Sequence, residues 1–534
     1  MNPLKNNHFK TAALAGLLIS AALFLHGVYM HWTYLEDDPL IDFRYAMNFH
    51  SGHGWVFNLG EHVNGCTSFF GLVLTTILSD FFSIDTSIVV LKILGIVAGL
   101  VILWQIQRIA QILLPEAPLV SACAPLLLAY RTDFPLSMIN GLETPYACVF
   151  LLSGMIAVYH ARLEDRETGY WKAAGLFCFA GLSRPELVPI FPVLLGVIAL
   201  SQGRLKIKQM ALYFLPFIGL GFFNYIYYGS PLPNTYYAKV VDLVTGLILG
   251  GEYLAQYLLP PTGILSAVVG VLCLLAVASR QGKFTPIFFT VVFLYAAFLL
   301  RTSGDWMVDG RFAMPVLPLI IVSWLVGLYV VFQKVHLFLK GNRLACTCLM
   351  VLLAVFIATE GYLDNRARNM YISQFSSSTS LGTAVKSTEP LSEWMCGAPT
   401  GRQRIAEWIK ENVHSGESVA MPEMGLIPCL NPDVGFIDFE GLTDATIAHL
   451  PGDHHGPFGV YAGQDWDSLD APMGRYIEYR HPDYVVSAYR IDEPIRNPNY
   501  IKVATIRAHI DINGWHNFLV YKRRAWQSTT PQQQ

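Results

Sequence analysis

Charge is what this sequence has least of. Only 14% of its 534 residues are Asp, Glu, Lys or Arg, against 53% hydrophobic, and the net charge is −3. That is too little polar surface for a soluble chain of this size, so the bulk of it belongs in lipid. The basic residues form short clusters between apolar runs and no extended stripe, which excludes a nucleic-acid partner. Cysteine motifs are missing as well: the nine cysteines show no CxxC or Cys/His zinc spacing, and several lie inside apolar runs where a thiol acts as a small hydrophobe. A cleavage site is also missing. The apolar run from Thr11 to Met30 follows Lys5 and Lys10 like a signal peptide but continues into His31-Trp32-Thr33 without small residues, and reads as a retained anchor.

What the chain has in abundance is apolar runs of about 17 to 25 residues, the length that crosses a bilayer, recurring up to Tyr362 and then stopping. They predict about eleven crossings, near 11–31, 86–107, 117–133, 141–160, 171–182, 185–201, 209–228, 262–279, 284–300, 312–334 and 343–361. Lys and Arg mark cytoplasmic loops. The clusters Lys5/Lys10, Arg162/Arg166/Lys172, Arg204/Lys206/Lys208, Arg280/Lys283 and Lys334/Lys340/Arg343 all fit one scheme, with the N-terminus inside and the C-terminus outside. Thr67 to Phe82 is then interfacial, and the short run 171–182 pairs with its successor as a helix broken around Ser183-Arg184-Pro185-Glu186. The predicted fold class is a polytopic α-helical membrane protein, residues 1–363, with a first external loop at about 32–85, followed by an extracytoplasmic α/β domain, residues 364–534.

In this scheme five polar stretches share the outer face: Glu36-Asp37-Asp38-Pro39, Gly141-Leu142-Glu143-Thr144, Ser183-Arg184-Pro185-Glu186, Pro231 to Lys239, and Gly304 to Arg311. Loops are polar in any protein, but acids, arginines, a lysine and aromatics on one side point to a site. Asp38 before Pro39 predicts an N-cap opening an interfacial helix through Leu40, Ile41, Phe43, Tyr45, Met47 and Phe49, with Asp42 and Arg44 as its polar edge. With Asp38 occupied in capping, Asp37 is the remaining carboxylate, expected to titrate upward beside hydrocarbon and like charges, toward general-base strength. The plainer alternative is a solvated acidic turn.

The stretches EDDPLIDFRYAMNFHSGHGWVFNLGEHVNGCTSFF, INGLETPYACVFLL, LSRPELVP, YYGSPLPNTYYAK, SGDWMVDGRFAMPVLP and IDFEGLTDATIAH, in this order from residue 36 to about 450, resemble the GT-C glycosyltransferases. The likeness is greatest to the cell-envelope arabinofuranosyltransferase branch, which uses a polyprenyl-phosphate sugar. It implies an inverting transfer on the outer face of a bacterial inner membrane, with Asp37 as the acid of the first external loop, Asp38 beside it and Glu143 as a second acid. Arg184, Lys239 and Arg311 are the matching candidates for the donor phosphate. The alternative is that Arg184 pairs with Glu186, and Arg311 with Asp305 or Asp309. Asn234, Tyr237, Asp305 and Trp306 are candidates for contacts to sugar, with Tyr236 beside them. Some members bind a divalent cation, which Asp37 with Asp38 or Glu143 could hold, but no spacing here is metal-specific and no cofactor is assigned.

Beyond Asp364 the composition is that of a soluble domain, joined through Ser376 to Ser380. Thr400-Gly401-Arg402-Gln403 predicts a capped helix over 405–413, and strands are predicted at 418–421, 434–439, 484–487, 501–506 and 517–521. Cys396 and Cys429 either pair or remain thiols. Asp438, Asp444 and His449, with His454 and His455 nearby, form the domain's most site-like stretch, a candidate for binding the acceptor. Two rivals stand beside this reading: the same architecture acting on lipid A or a protein such as pilin, and a flippase or transporter of lipid-linked sugars, which would show intramembrane charge and repeat symmetry.

Overall fold

The computed structural model describes residues 7–239, 241–258, 264–280, 282–305, 307, 309–338, 401–450, 465–487, 495–511 and 514–524. The crossing expected at 343–361, the boundary at 363/364, the serine joint, Thr400, Cys396, Trp306, His454 and His455 lie outside the described residues. The chain divides into two compact units. One comprises residues 1–36, 68–223 and 241–396, and the other residues 37–67, 224–240 and 397–534.

The first unit is helical. Among the described residues, seven helices are long and apolar enough to cross a membrane: Ala13–Met30, Ile84–Leu113, Thr144–Glu164, Pro185–Gln202, Ile207–Tyr228, Thr285–Thr302 and Leu317–Lys334. Leu212, Leu215, Ile218 and Phe222, three or four residues apart, are all more than half exposed and form an apolar helix face suited to lipid. The helix Ile84–Leu113 is 30 residues long, about 45 Å at helical rise, and is the spine of the unit. Its Gly99 admits the ring of Phe24, where a Cβ would stand 2.4 Å from the ring edge. Its one buried lysine, Lys92, donates to the carbonyl of Trp32 at 2.8 Å and to that of Tyr34, so the charge is met by backbone dipoles.

Several elements depart from the sequence expectation. The crossing expected at 117–133 is split into Pro118–Ser121 and Ala124–Tyr130, because Pro125 has no N–H to continue the preceding turn. A helix the sequence did not signal, Leu243–Leu258, carries Gly246, Gly250, Gly251 and Glu252, which interrupt its apolar run. The break around Ser183 is present: the helix Glu167–Ser183 stops, Arg184 is extended at φ −140°, ψ 109° as a residue before proline prefers, and a 3-10 turn Pro185–Leu187 leads to the helix Ile190–Gln202. The segment expected at the interface forms the helix Phe69–Phe81, capped by Ser68, and its 13 residues are fewer than a crossing needs.

The second unit is built on a five-stranded sheet of order β2-β1-β3-β5-β4, where β1 is Ser418–Met421, β2 Gly435–Asp438, β3 Tyr484–Ser487, β4 Tyr500–Asp511 and β5 Gly514–Arg523. β1 runs parallel to β2 and β3, while β5 runs antiparallel to β3 and β4. Trp466 is fully buried against the rings of Tyr500 and Tyr521, 5.4 and 5.2 Å away. Residues 37–67 of the first external loop belong to this unit. Asn58 mimics a strand at the edge of β2, donating to the Phe436 carbonyl at 2.6 Å and accepting from the Phe436 N–H at 3.0 Å.

The helix Pro39–His50 forms where Pro39 predicts it. Arg44, expected on a water-facing edge, is instead buried: its guanidinium lies between the rings of Phe57 and Phe436 and donates to the carbonyls of Phe57 at 2.9 Å, Val434 at 2.8 Å, Asn431 at 3.2 Å and Pro428. The physical reason is supply and demand. A guanidinium has five donors in a planar fork, and the carbonyls of Pro428 and Asn431 at the end of the helix Leu426–Leu430 each have a second lone pair beside the one that accepts the N–H of Asn431 or Val434.

Candidate functional site

Asp38 does not cap the helix it precedes. Its backbone is already helical, at φ −54° and ψ −39°, and makes no side-chain cap bond; the first amides of the helix instead reach the backbone carbonyls of Asp37 and Asp38 at 3.0 Å. The expectation that capping by Asp38 singles out Asp37 is therefore corrected. Asp37 is distinguished by its own surroundings. Its Oδ2 accepts from the N–H of Gly425 at 2.8 Å and its Oδ1 from that of Leu426 at 2.9 Å, at the start of the helix Leu426–Leu430. Gly425 is required for this approach, since a Cβ there would stand 2.3 Å from the carboxylate. Arg402 donates to Glu423 at 2.7 Å, with the same Nε 3.8 Å from Asp37 Oδ1.

These surroundings make Asp37 an unusual acid. Burial first, then the carboxylates of Glu423 and Asp38, push it up to about 6, against the pull of Arg402 and the Leu426 amide. Glu440, near Asp438, Glu423 and Asp38, is pushed well above the usual carboxylate range by its surroundings, burial first, with Lys239 partly offsetting. Lys239 itself is exposed.

The remaining candidates in this unit are arranged as follows. Asp438 is fully buried within its own turn, accepting from the N–H groups of Glu440 and Thr443 at 2.9 and 2.8 Å, and burial pushes it up to about 7. Asp444 caps the helix Ala445–Ala448, accepting from Thr446 and Ile447, and also accepts from the Tyr476 hydroxyl at 2.9 Å. Asn234 donates to the carbonyls of Gly441 and Leu442 at 2.6 and 3.2 Å. Tyr237 and His449 place their rings 4.6 Å apart, with the exposed Tyr236 next to them. Of these, the ring pair has the form of a sugar platform, while Asp438, Asp444 and Asn234 organise backbone.

The helical unit holds a second group of titratable side chains. Arg184, 4% exposed, bonds Glu186 at 2.5 Å, Glu143 at 3.2 Å and the Thr144 hydroxyl at 3.2 Å. Arg311, 5% exposed, pairs with Asp305 at 2.5 Å. Both guanidiniums approach the Phe312 ring, at 4.6 and 5.3 Å. Asp309 accepts from Asn140 at 2.6 Å and from the Arg311 N–H at 3.1 Å, and burial pushes it up to about 6. The ion-pair alternative for both arginines is thus what the geometry displays, and a phosphate reaching either must share or displace a carboxylate.

Both oxygens of Asp37 are engaged by backbone N–H groups, and among the described residues no three acids, histidines or cysteines converge as ligands. Sequence reasoning missed Glu423 and Gly425, placed Arg402 only in a helix cap, and included Glu440 only as part of the stretch from Asp438 to Asp444. The signal available for Glu423 and Gly425 was an acid and a glycine in Pro422-Glu423-Met424-Gly425 directly after a predicted strand.

Residues 396–527 match the family model described as Domain of unknown function (DUF8728). No curated protein matches the sequence. Solved structures do resemble the fold. The Archaeoglobus fulgidus oligosaccharyltransferase in its apo form aligns with a TM-score of 0.53 at 13% identity, over 89% of this chain and 69% of that one. The archaeal oligosaccharyltransferase AglB from the same organism, in complex with an inhibitory peptide and a dolichol-phosphate, aligns at 0.56 and 13%, over 90% and 70%. The form tethered by a disulfide to an acceptor peptide containing the NVT sequon aligns at 0.56 and 14%, over 89% and 69%. At this identity the likeness is one of fold: the chain shares the fold of these oligosaccharyltransferase structures, with several helices long and apolar enough to cross a membrane and a small C-terminal sheet domain.

Proposed function

We propose that this protein is a glycosyltransferase that moves a sugar or glycan from a polyprenyl-phosphate-type lipid to an acceptor, on the outer face of a bacterial inner membrane. The observation that carries the reading is Asp37. It is a buried carboxylate lifted to about 6, on a chain whose fold is that of lipid-linked glycosyl transfer enzymes. A base of that strength is mostly ionised at neutral pH yet takes a proton readily. The acceptor's attacking atom gives its proton to Asp37 as it bonds to the anomeric carbon from the face opposite the leaving phosphate, which inverts the centre. The glycosyl–phosphate bond breaks, and the phosphate keeps that electron pair. Arg184, Arg311 and Lys239 are the cations proposed to receive the negative charge, the arginines by exchanging a carboxylate for phosphate oxygen. Asp38 and Glu143 remain candidates for assisting acids, and Tyr237 with His449 for the acceptor sugar.

Arabinofuranose on decaprenyl phosphate is the donor to test first, with a cell-envelope glycan as acceptor. A second reading, in which the acceptor is a protein, is favoured by one observation: two of the similar structures carry peptides. The test is a panel of polyprenyl-phosphate pentoses and hexoses offered to the purified full chain with envelope glycans or peptides, the products read by mass spectrometry. A glycosylated product from any donor supports the reading, and its mass identifies the sugar. Absence of transfer from every donor, with lipid-linked sugar crossing vesicle membranes instead, contradicts it in favour of a flippase.

A further inference from the structure

The Asp37 carboxylate is held by parts of the chain far from it in sequence. The N–H groups of Gly425 and Leu426 come from the start of the helix Leu426–Leu430, and Glu423 from the segment after β1. Arg402 comes from the helix Gly401–Asn412. Asp38 is the charged neighbour on its own segment, and Glu440, with Lys239 beside it, faces Glu423 and Asp38. Glu423 and Arg402 are both nearly buried, at 8% and 16% side-chain exposure, and are bonded to each other at 2.7 Å. This fixes one negative and one positive charge beside a third group, and their effects on it are opposed. A cation alone would stabilise the carboxylate and weaken it as a base; an acid alone would add unscreened repulsion in a buried place.

We propose that Arg402 and Glu423 are positioning residues for Asp37, an ion pair through which the C-terminal domain aligns the carboxylate and balances its charge for the transfer reaction. The proposal rests on the reading of Asp37 as the proton acceptor. Glu423 opposes ionisation of Asp37 and Arg402 favours it, so removing each charge moves Asp37 in opposite directions. A merely structural pair would lower stability and activity in both variants without that opposition.

The experiment uses the full chain in lipid nanodiscs, as wild type, Glu423→Gln, Arg402→Gln and the charge-keeping Arg402→Lys. One readout is independent of catalysis: the infrared carboxylic C=O band of Asp37, assigned by its loss in Asp37→Asn, followed against pH. The other is the acid limb of kcat/KM for transfer. The wild-type midpoint is expected at about 6. Glu423→Gln should lower it and Arg402→Gln raise it, each by on the order of one pH unit, with Arg402→Lys near wild type. Opposite shifts in both readouts support the proposal. Unmoved midpoints, or shifts in the same direction, in variants that melt like wild type overturn it. Opposite infrared shifts in a protein that transfers no sugar overturn the glycosyltransferase reading and leave the electrostatic coupling standing.

Discussion

The hold on Asp37 depends at the residue scale on one missing carbon. Gly425 brings its own N–H to the carboxylate, and a Cβ there would lie 2.3 Å from it, well inside van der Waals contact. Gly425→Ala must therefore displace either Asp37 or the 422–426 segment. A displacement of this kind should lower kcat at least tenfold, about 1.4 kcal/mol on the barrier, while the protein still folds. Steady-state transfer kinetics on Gly425→Ala check this, and full activity would show that the close approach is not needed. The acid pair before proline made Asp37 a candidate from the sequence, but the capping by Asp38 that singled it out is not what the structure has. The partners of Asp37 were not legible, because Arg402, Glu423 and Gly425 meet it only through the fold of the β1 region, and no local spacing records that meeting.

At the scale of elements, the helix Pro39–His50 is tied to the C-terminal sheet domain by Arg44, whose donors reach carbonyls of the loop at Phe57 and of the segment from Pro428 to Val434. Arg44→Leu removes a charged donor from all four carbonyls, although those of Phe57, Pro428 and Asn431 keep the Asn48 amide, the Asn431 N–H and the Val434 N–H, and it should cost about 2 kcal/mol. Limited proteolysis within residues 51–64 should accelerate at least tenfold in that variant, and an unchanged rate would mean that Arg44 is not the anchor. The helix was predictable from Pro39, but the burial of Arg44 was not, since an arginine among apolar residues reads equally as a polar edge. The strands at 418–421 and 484–487 were readable as short apolar runs between turn residues. The helix Leu243–Leu258 was hidden by Gly250, Gly251 and Glu252, and Pro125 turned one expected crossing into two short helices.

Over the whole molecule, buried acids give stability a definite dependence on pH. Asp37 and Asp309 are lifted from 3.8 to about 6, and Asp438 from 3.8 to about 7, burial being the largest cause for each. Between the ordinary and the lifted values the folded chain binds more protons than the unfolded chain, so stability falls as pH rises through that window. The melting temperature of the full chain in detergent should be highest near the acid end and decline from about pH 4 to 7. Asp438→Asn should flatten the upper part of the decline, and a melting temperature that rises over this range would contradict the burial of these acids. Such acids are costly to stability, and the proposed role of Asp37 as proton acceptor gives one of them a use. The measurement that tests this most directly is single-turnover transfer from a polyprenyl-phosphate sugar by the wild-type protein and by Asp37→Asn, with folding of the variant confirmed by its melting curve. Loss of at least a hundredfold in rate, about 2.7 kcal/mol, with donor binding retained is the predicted result; transfer at the wild-type rate by the folded variant would contradict the assignment of Asp37 as the base.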